Sequence, residues 1–251
     1  MDAIVDALEG QQAELTGILE GLDDDGWAMP TRCEGWDVAD VVLHLVQTNV
    51  MAQASNDGRL EAVLAELLAG APPAADVDEG AAIAVALERG LPNAELLRRW
   101  RDEAAHLSAS LRAGDPDQKV TWVAGQLRRR TLATTRLAET WIHTGDVAEA
   151  VGITLQATDR LRPIARLAWR TLPYAFERSG RTLSGPVAFE LVGPSGDPWS
   201  FVPDEPAVTT VRGSGAELCA VAGRRVAPGE TGLEAEGPDG PAVLELVRTY
   251  A

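Results

Sequence analysis

Apolar residues in the first part of the chain recur at three- and four-residue steps, the spacing that lines one face of an α-helix. Ile4, Val5, Leu8, Leu15, Ile18, Leu19 and Leu22 form such a stripe, with acids between them, and predict a helix over 2–21. Asp23-Asp24-Asp25-Gly26 interrupts it, and a loop from Pro30 to Gly35 follows. Asp37 is placed to cap the next helix, whose stripe is Val38, Val41, Val42 and Leu45, with His44 at its border. A shorter helical stretch over about 58–68 stops at the loop Gly70-Ala71-Pro72-Pro73-Ala74-Ala75. Asn93, after Pro92, reads as the cap of a long helix to about Arg112 that carries Leu96, Leu97, Trp100, Ala104, Leu107 and Leu111. Asp115-Pro116-Asp117 closes it. Another long helix over about 127–151 has Leu132, Leu137, Ala138, Trp141, Ile142, Ala148 and Val151 as its buried side and Gly152 to terminate it. One more helix is expected over 159–178.

After residue 180 the pattern changes to alternation. Val187, Phe189 and Leu191 share one face of a predicted strand over 186–192. Gly193-Pro194-Ser195-Gly196-Asp197 is a turn, and 199–202 reads as the returning strand. Short strands over 208–211 and 231–236 and helices over 216–223 and 241–250 complete the chain. The simplest account is an α+β protein: a helical bundle over 1–153, then a linker helix and a small α+β domain over 154–251.

Composition narrows the classes. At 251 residues, 45% hydrophobic and 24% charged, the chain has ordinary globular usage and length for a sizeable core. It has no apolar run long enough for a transmembrane helix. The acidic start Met1-Asp2-Ala3-Ile4-Val5-Asp6 lacks the features of a signal peptide, so a cytoplasmic protein is expected, as monomer or homodimer. A formal charge of −16 argues against nucleic acid or an anionic membrane as partner. It leaves room for an anionic small molecule wherever arginines reverse the local field. Cys33 and Cys219 have no CxxC spacing and are expected as free thiols in a reducing compartment.

The chemistry-bearing residues are few. Of three histidines, His143 has Glu139 one helical turn before it, so both side chains project from the same face. Arg136 and Asp146 extend that row. A Glu-x3-His pair supplies two ligands for a divalent ion, and a second helix must supply the third. His44 is the natural candidate. His106, whose neighbours Glu103 and Ser108 make no motif, reads as a surface or boundary histidine. Asp146 is placed to accept a hydrogen bond from the second nitrogen of His143. The competing reading is that Arg, Glu, His and Asp simply line a solvated helix face.

The motif Pro30-Thr31-x-Cys33-x-Gly35-Trp36-x-Val38, then His44, then Glu139-x-Trp141-x-His143-x-x-Asp146-Val147, resembles the mycothiol-dependent maleylpyruvate isomerase family of the DinB-like metalloproteins. The resemblance continues through Arg160-Leu161, Arg170-Thr171, Arg212 to Cys219 and Gly237-Pro238-Asp239, features like those of one actinobacterial branch. It implies a DinB-like four-helix bundle that holds a divalent ion, expected to be zinc, on His44, Glu139 and His143. It implies a sterol-carrier-like α+β domain after it, and mycothiol or a similar thiol as cofactor. It also implies a catalytic role for Arg224, with Arg224 or Arg225 holding the thiol or substrate, while Asp146, from its place beside His143, is the other residue expected in catalysis.

The expected function is a metal-dependent enzyme that uses a low-molecular-weight thiol to isomerise or conjugate a small electrophilic, anionic substrate. The alternatives are a thiol-independent metalloenzyme (cyclase, lyase or hydrolase) and a non-catalytic small-molecule binding protein. Three departures from the family pattern point to a substrate other than maleylpyruvate, in specialised biosynthesis. The stretch Gly125-Gln126-Leu127-Arg128-Arg129-Arg130 is unusually basic, as a pocket mouth or a solvated helix start; Arg166 and Trp169 are the others.

Overall fold

The computed structural model describes residues 1–123 and 125–249. It divides into two compact units, Met1–Leu155 and Gln156–Ala251. The first contains α1 (Asp2–Glu20), α2 (Asp24–Trp27), α3 (Val38–Asn56), α4 (Leu60–Leu67), α5 (Val77–Glu88) and α6 (Asn93–Ala113). A hairpin of β1 (Lys119–Trp122) and β2 (Gly125–Arg128) precedes α7 (Arg129–Ala150). The four long helices form the bundle: α1 and α3 each pack on both α6 and α7. The stripes read from the sequence meet at its centre, where Leu15, Leu19, Val41, Leu45, Leu96, Trp100 and Ala148 are buried together. Trp100 satisfies its one polar atom by donating from Nε1 to Thr16 Oγ1 at 2.9 Å.

Asp37 caps α3 as expected. Its Oδ1 accepts from the Asp40 amide at 2.9 Å, and the Asp40 carboxylate accepts from the Asp37 amide at 3.3 Å. Asn93 does not cap α6. It is the first helical residue, and its Nδ2 donates to Asp24 Oδ1 at 2.9 Å. Helix α5 stands where no element was expected; Asp76 starts it by accepting from the Glu79 amide at 2.9 Å. The helix expected from 127 begins at Arg129, because Gly125–Arg128 pair with Lys119–Trp122 instead. The basic stretch there is tied down internally: Arg128 and Arg130 both pair with Asp117, and Arg129 is buried, donating to Gln118 Oε1 at 2.7 Å. Gly152, with a φ of +72°, follows the end of α7 in the left-handed conformation that glycine favours.

The second unit runs through a 3-10 turn (Asp159–Leu161), α8 (Arg162–Arg170), α9 (Leu172–Arg178), β3 (Val187–Val192), β4 (Pro198–Phe201) and β5 (Thr209–Ser214). Helix α10 (Gly215–Ala222), β6 (Glu234–Glu236) and α11 (Gly240–Leu246) follow. The single helix expected over 159–178 starts as α8 with Pro163 in its first turn and is broken at Thr171, since Pro173 occupies the first turn of α9. The sheet order is β4-β3-β5-β6, with β3 and β5 parallel and the other pairs antiparallel. Register sets Phe189 opposite Phe201 and Leu191 opposite Trp199, so both strands bury the same face. Trp169 packs in this core: Nε1 donates to Val187 O at 2.7 Å and the ring stacks on Phe201. Arg166 is exposed. The last helix stops at Leu246; Tyr250, expected within it, lies outside the described residues.

Candidate metal centre

His44 lies two turns into α3 and Glu139 and His143 lie one turn apart on α7, two helices that pack together in the bundle. Glu139 Oε1 is 3.0 Å from His44 Nε2 and 3.6 Å from His143 Nε2. The two imidazole centroids are 5.1 Å apart at 76°, edge to face. An ion bound to nitrogen and oxygen at about 2.0–2.1 Å in tetrahedral geometry needs donors about 3.3 Å apart, so the observed separations bracket that value. The donor set of two imidazoles and a carboxylate suits zinc and leaves a fourth position open. The row of α7 is not a solvated face: Arg136, His143 and Asp146 are buried. His106 sits apart, exposed beside Glu103.

Charge is arranged to match. Burial pushes the His44 pKa down, and the Glu139 hydrogen bond does not restore it, so His44 is the neutral ligand form. Burial raises Glu139, but hydrogen bonds from His143 and His44 and the Arg136 charge outweigh it and hold the carboxyl well below its ordinary range. For His143 burial acts downward, while bonds to Asp146, Cys33 and Glu139 lift it well above the usual imidazole value. Asp146 Oδ2 accepts from His143 Nδ1 at 2.9 Å, which leaves Nε2 turned toward Glu139.

The loop before α3 completes the surroundings. Thr31 donates from both its amide and Oγ1 to Trp36 O, at 3.0 and 2.9 Å, and Trp36 donates its amide to Cys33 O at 3.0 Å. Gly35 turns the chain with a φ of +76°. This tight turn sets the Trp36 ring 5.1 Å from that of His44. It also sets Cys33 Sγ 3.4 Å from Asp146 Oδ2 and 3.9 Å from His143 Nδ1. Neither Cys33 nor Trp36 had been assigned a place in the site. The signal available was their position in the same short motif, eleven and eight residues before His44.

Arg224 and Arg225 lie in the second unit. Arg224 follows α10 with a left-handed φ of 59° and is exposed, its Nη1 donating to Glu245 O at 2.9 Å. It lines an open cavity of about 510 Å³ with Pro228, Leu233, Pro241 and Leu244. Arg225 is half-buried and donates to Gly223 O at 3.0 Å.

The family model of the mycothiol maleylpyruvate isomerase N-terminal domain matches residues 8–148. Uncharacterized proteins of Mycobacterium tuberculosis, from strain CDC 1551 / Oshkosh and strain H37Rv, are each 36% identical over 247 residues, covering 97% of this chain and 93% of the relative. Crystal structures of a mycothiol-dependent maleylpyruvate isomerase and of its H52A mutant share the fold, with TM-scores of 0.61 and 0.60 at 18% identity, covering 96% of this chain and 95% of theirs.

Proposed function

We propose, from the premise that this chain belongs to the mycothiol maleylpyruvate isomerase family, that it is a thiol-dependent isomerase or transferase. In this reading it holds one divalent ion, zinc, on His44, Glu139 and His143. The observation that carries the reading is the convergence of His44, Glu139 and His143 from two helices, with one ligand atom of each within 4.8 Å of the others. A divalent ion held there would lower the pKa of a coordinated thiol, so that thiolate would prevail near neutral pH.

The chain's own groups prepare that chemistry. Glu139 stays ionised, His44 stays neutral, and Asp146 keeps the proton of His143 on Nδ1 so that Nε2 offers its lone pair. Asp146 thus acts through His143, as a positioning residue. A thiol cofactor bound there would supply the nucleophile for a double bond conjugated with a carbonyl, giving the other configuration where the thiol is released again and a thiol conjugate where it is retained. Arg224 and Arg225 keep the roles that the family resemblance implies, as holders of a carboxylate or of the thiol cofactor.

The test is direct. Protein purified without added zinc is analysed for metal and assayed with mycothiol and maleylpyruvate, then with other unsaturated keto acids. One ion per chain is expected, lost in His44→Ala and His143→Ala, with turnover dependent on both ion and thiol. Activity that survives complete metal removal sinks the reading. Turnover without any thiol removes the cofactor and leaves the ion. Arg224→Ala and Arg225→Ala, compared by KM and kcat at constant metal content, identify which arginine holds the anion.

A further inference from the structure

Arg136 is a permanent cation, 2% exposed, in the middle of the bundle. Both hydrogen bonds of its guanidinium leave from Nη2 and end on neutral acceptors, Thr48 Oγ1 at 2.8 Å and Asn49 Oδ1 at 3.2 Å. Among the described residues no carboxylate is within ion-pair distance of it, and its Nε has no acceptor. Asn49, wholly buried, spends its oxygen on Arg136, and its Nδ2 has no acceptor either. Two buried donors thus lack acceptors in one cluster, where buried charges and amides are ordinarily paired.

The cluster adjoins the candidate metal centre. Arg136 precedes Glu139 by three residues on α7, and Thr48 follows His44 by four on α3 and donates to His44 O at 2.9 Å. The layer of Arg136, Thr48 and Asn49 is therefore about one helical turn, roughly 5.4 Å of rise, from the layer of His44 and Glu139. With a divalent ion in place, Glu139 and Asp146 balance the ion, and the guanidinium remains as surplus positive charge. A donor-rich, positively charged spot beside the reacting centre calls for an anionic acceptor.

We propose that Arg136 and Asn49 form an anion-receiving pair that takes the carboxylate of the substrate one turn from His44 and Glu139, so that the enzyme selects carboxylate-bearing electrophiles. The inference rests on the thiol-isomerase reading for the reacting centre, and on the unsatisfied donors for the anion. Arg136 is then a specificity-determining residue inside the bundle, apart from any role of Arg224. The carboxylate replaces the missing acceptors of Nε and Nδ2, and a neutral amide in its place leaves the guanidinium unbalanced.

The experiment titrates the zinc-loaded full chain with maleate, and with its neutral diamide as control, by calorimetry in the absence of thiol. Maleate is expected to bind and the diamide not. Arg136→Met should weaken maleate about thirtyfold, the range of a lost charge-assisted hydrogen bond. Asn49→Asp is the decisive variant, because it sets a carboxylate of the same size against the guanidinium. It should keep the fold and the zinc content, leave Tm undiminished, and still weaken maleate by a similar factor. If Arg136 merely clamps α3 to α7, Asn49→Asp tightens the clamp and leaves maleate affinity at the wild-type value. That result, or no maleate binding by wild type, overturns the proposal. Absence of zinc together with variant-sensitive maleate binding sinks the reading of function and spares the anion pair.

Discussion

Replacing Asp146 separates orientation of a ligand from ligation itself. Asp146 is 1% exposed and accepts from His143 Nδ1 at 2.9 Å, with Cys33 Sγ 3.4 Å from the same oxygen. In Asp146→Ala the Nδ1 proton has no acceptor in a closed environment, which costs about 1–3 kcal/mol, and the ring is free to turn. Since tenfold is about 1.4 kcal/mol, that corresponds to roughly 10- to 100-fold weaker zinc binding, in line with the usual effect of losing an outer-sphere partner. Asp146→Asn keeps an oxygen facing Nδ1 but discards the charge, a difference of about 1 kcal/mol or roughly fivefold. Competition against a chromophoric chelator should therefore rank wild type above Asn above Ala, with circular dichroism confirming that all three are folded. Equal affinities across the series would refute the argument, as would Ala binding more tightly than Asn.

Three further outcomes follow from packing and burial. Trp100→Ala should destabilise the bundle by about 3–5 kcal/mol in denaturant unfolding, because the indole is fully buried and its Nε1 bond to Thr16 disappears with it. A thiol reagent should label Cys33 but not Cys219 in the native protein, and both after unfolding. Cys33 is partly exposed, while complete burial pushes the Cys219 thiol up and closes access to it. Gly237→Ala should lower Tm by several degrees in a thermal scan, because the backbone there has a φ of +107° and a Cβ would lie 2.2 Å from Val208 O.

Much of the architecture was legible because strong helical stripes are local statements. The apolar stripes of α1 and α6 marked those helices almost to the residue, and that of α3 marked its start. What escaped notice was short or polar. The β1–β2 hairpin buries only Val120, so it shows no alternation to read. Helix α5 buries only Ala84 and Val85. The break between α8 and α9 carried a signal in Pro173 that the apolar spacing overrode. At the candidate site the Glu-x3-His spacing was visible, as was the place of Asp146. The approach of Cys33 and Trp36 was not, because a turn closed by Thr31 and Gly35 determines it.

Sequence by itself determined what periodicity can carry: a helical half, an alternating half, an acidic chain, and one helix face bearing Arg136, Glu139, His143 and Asp146. Only the tertiary structure decided that this face points inward. Period-3.6 spacing says which side chains share a face, and packing of α7 against α1 and α3 says what that face meets. Burial then turned a row that also reads as solvated into a Glu139 carboxyl held well below its ordinary range and, among the described residues, an Arg136 with no charged partner within ion-pair reach. The reason is physical: desolvation and pairing depend on neighbours distant in sequence, and no local spacing encodes them.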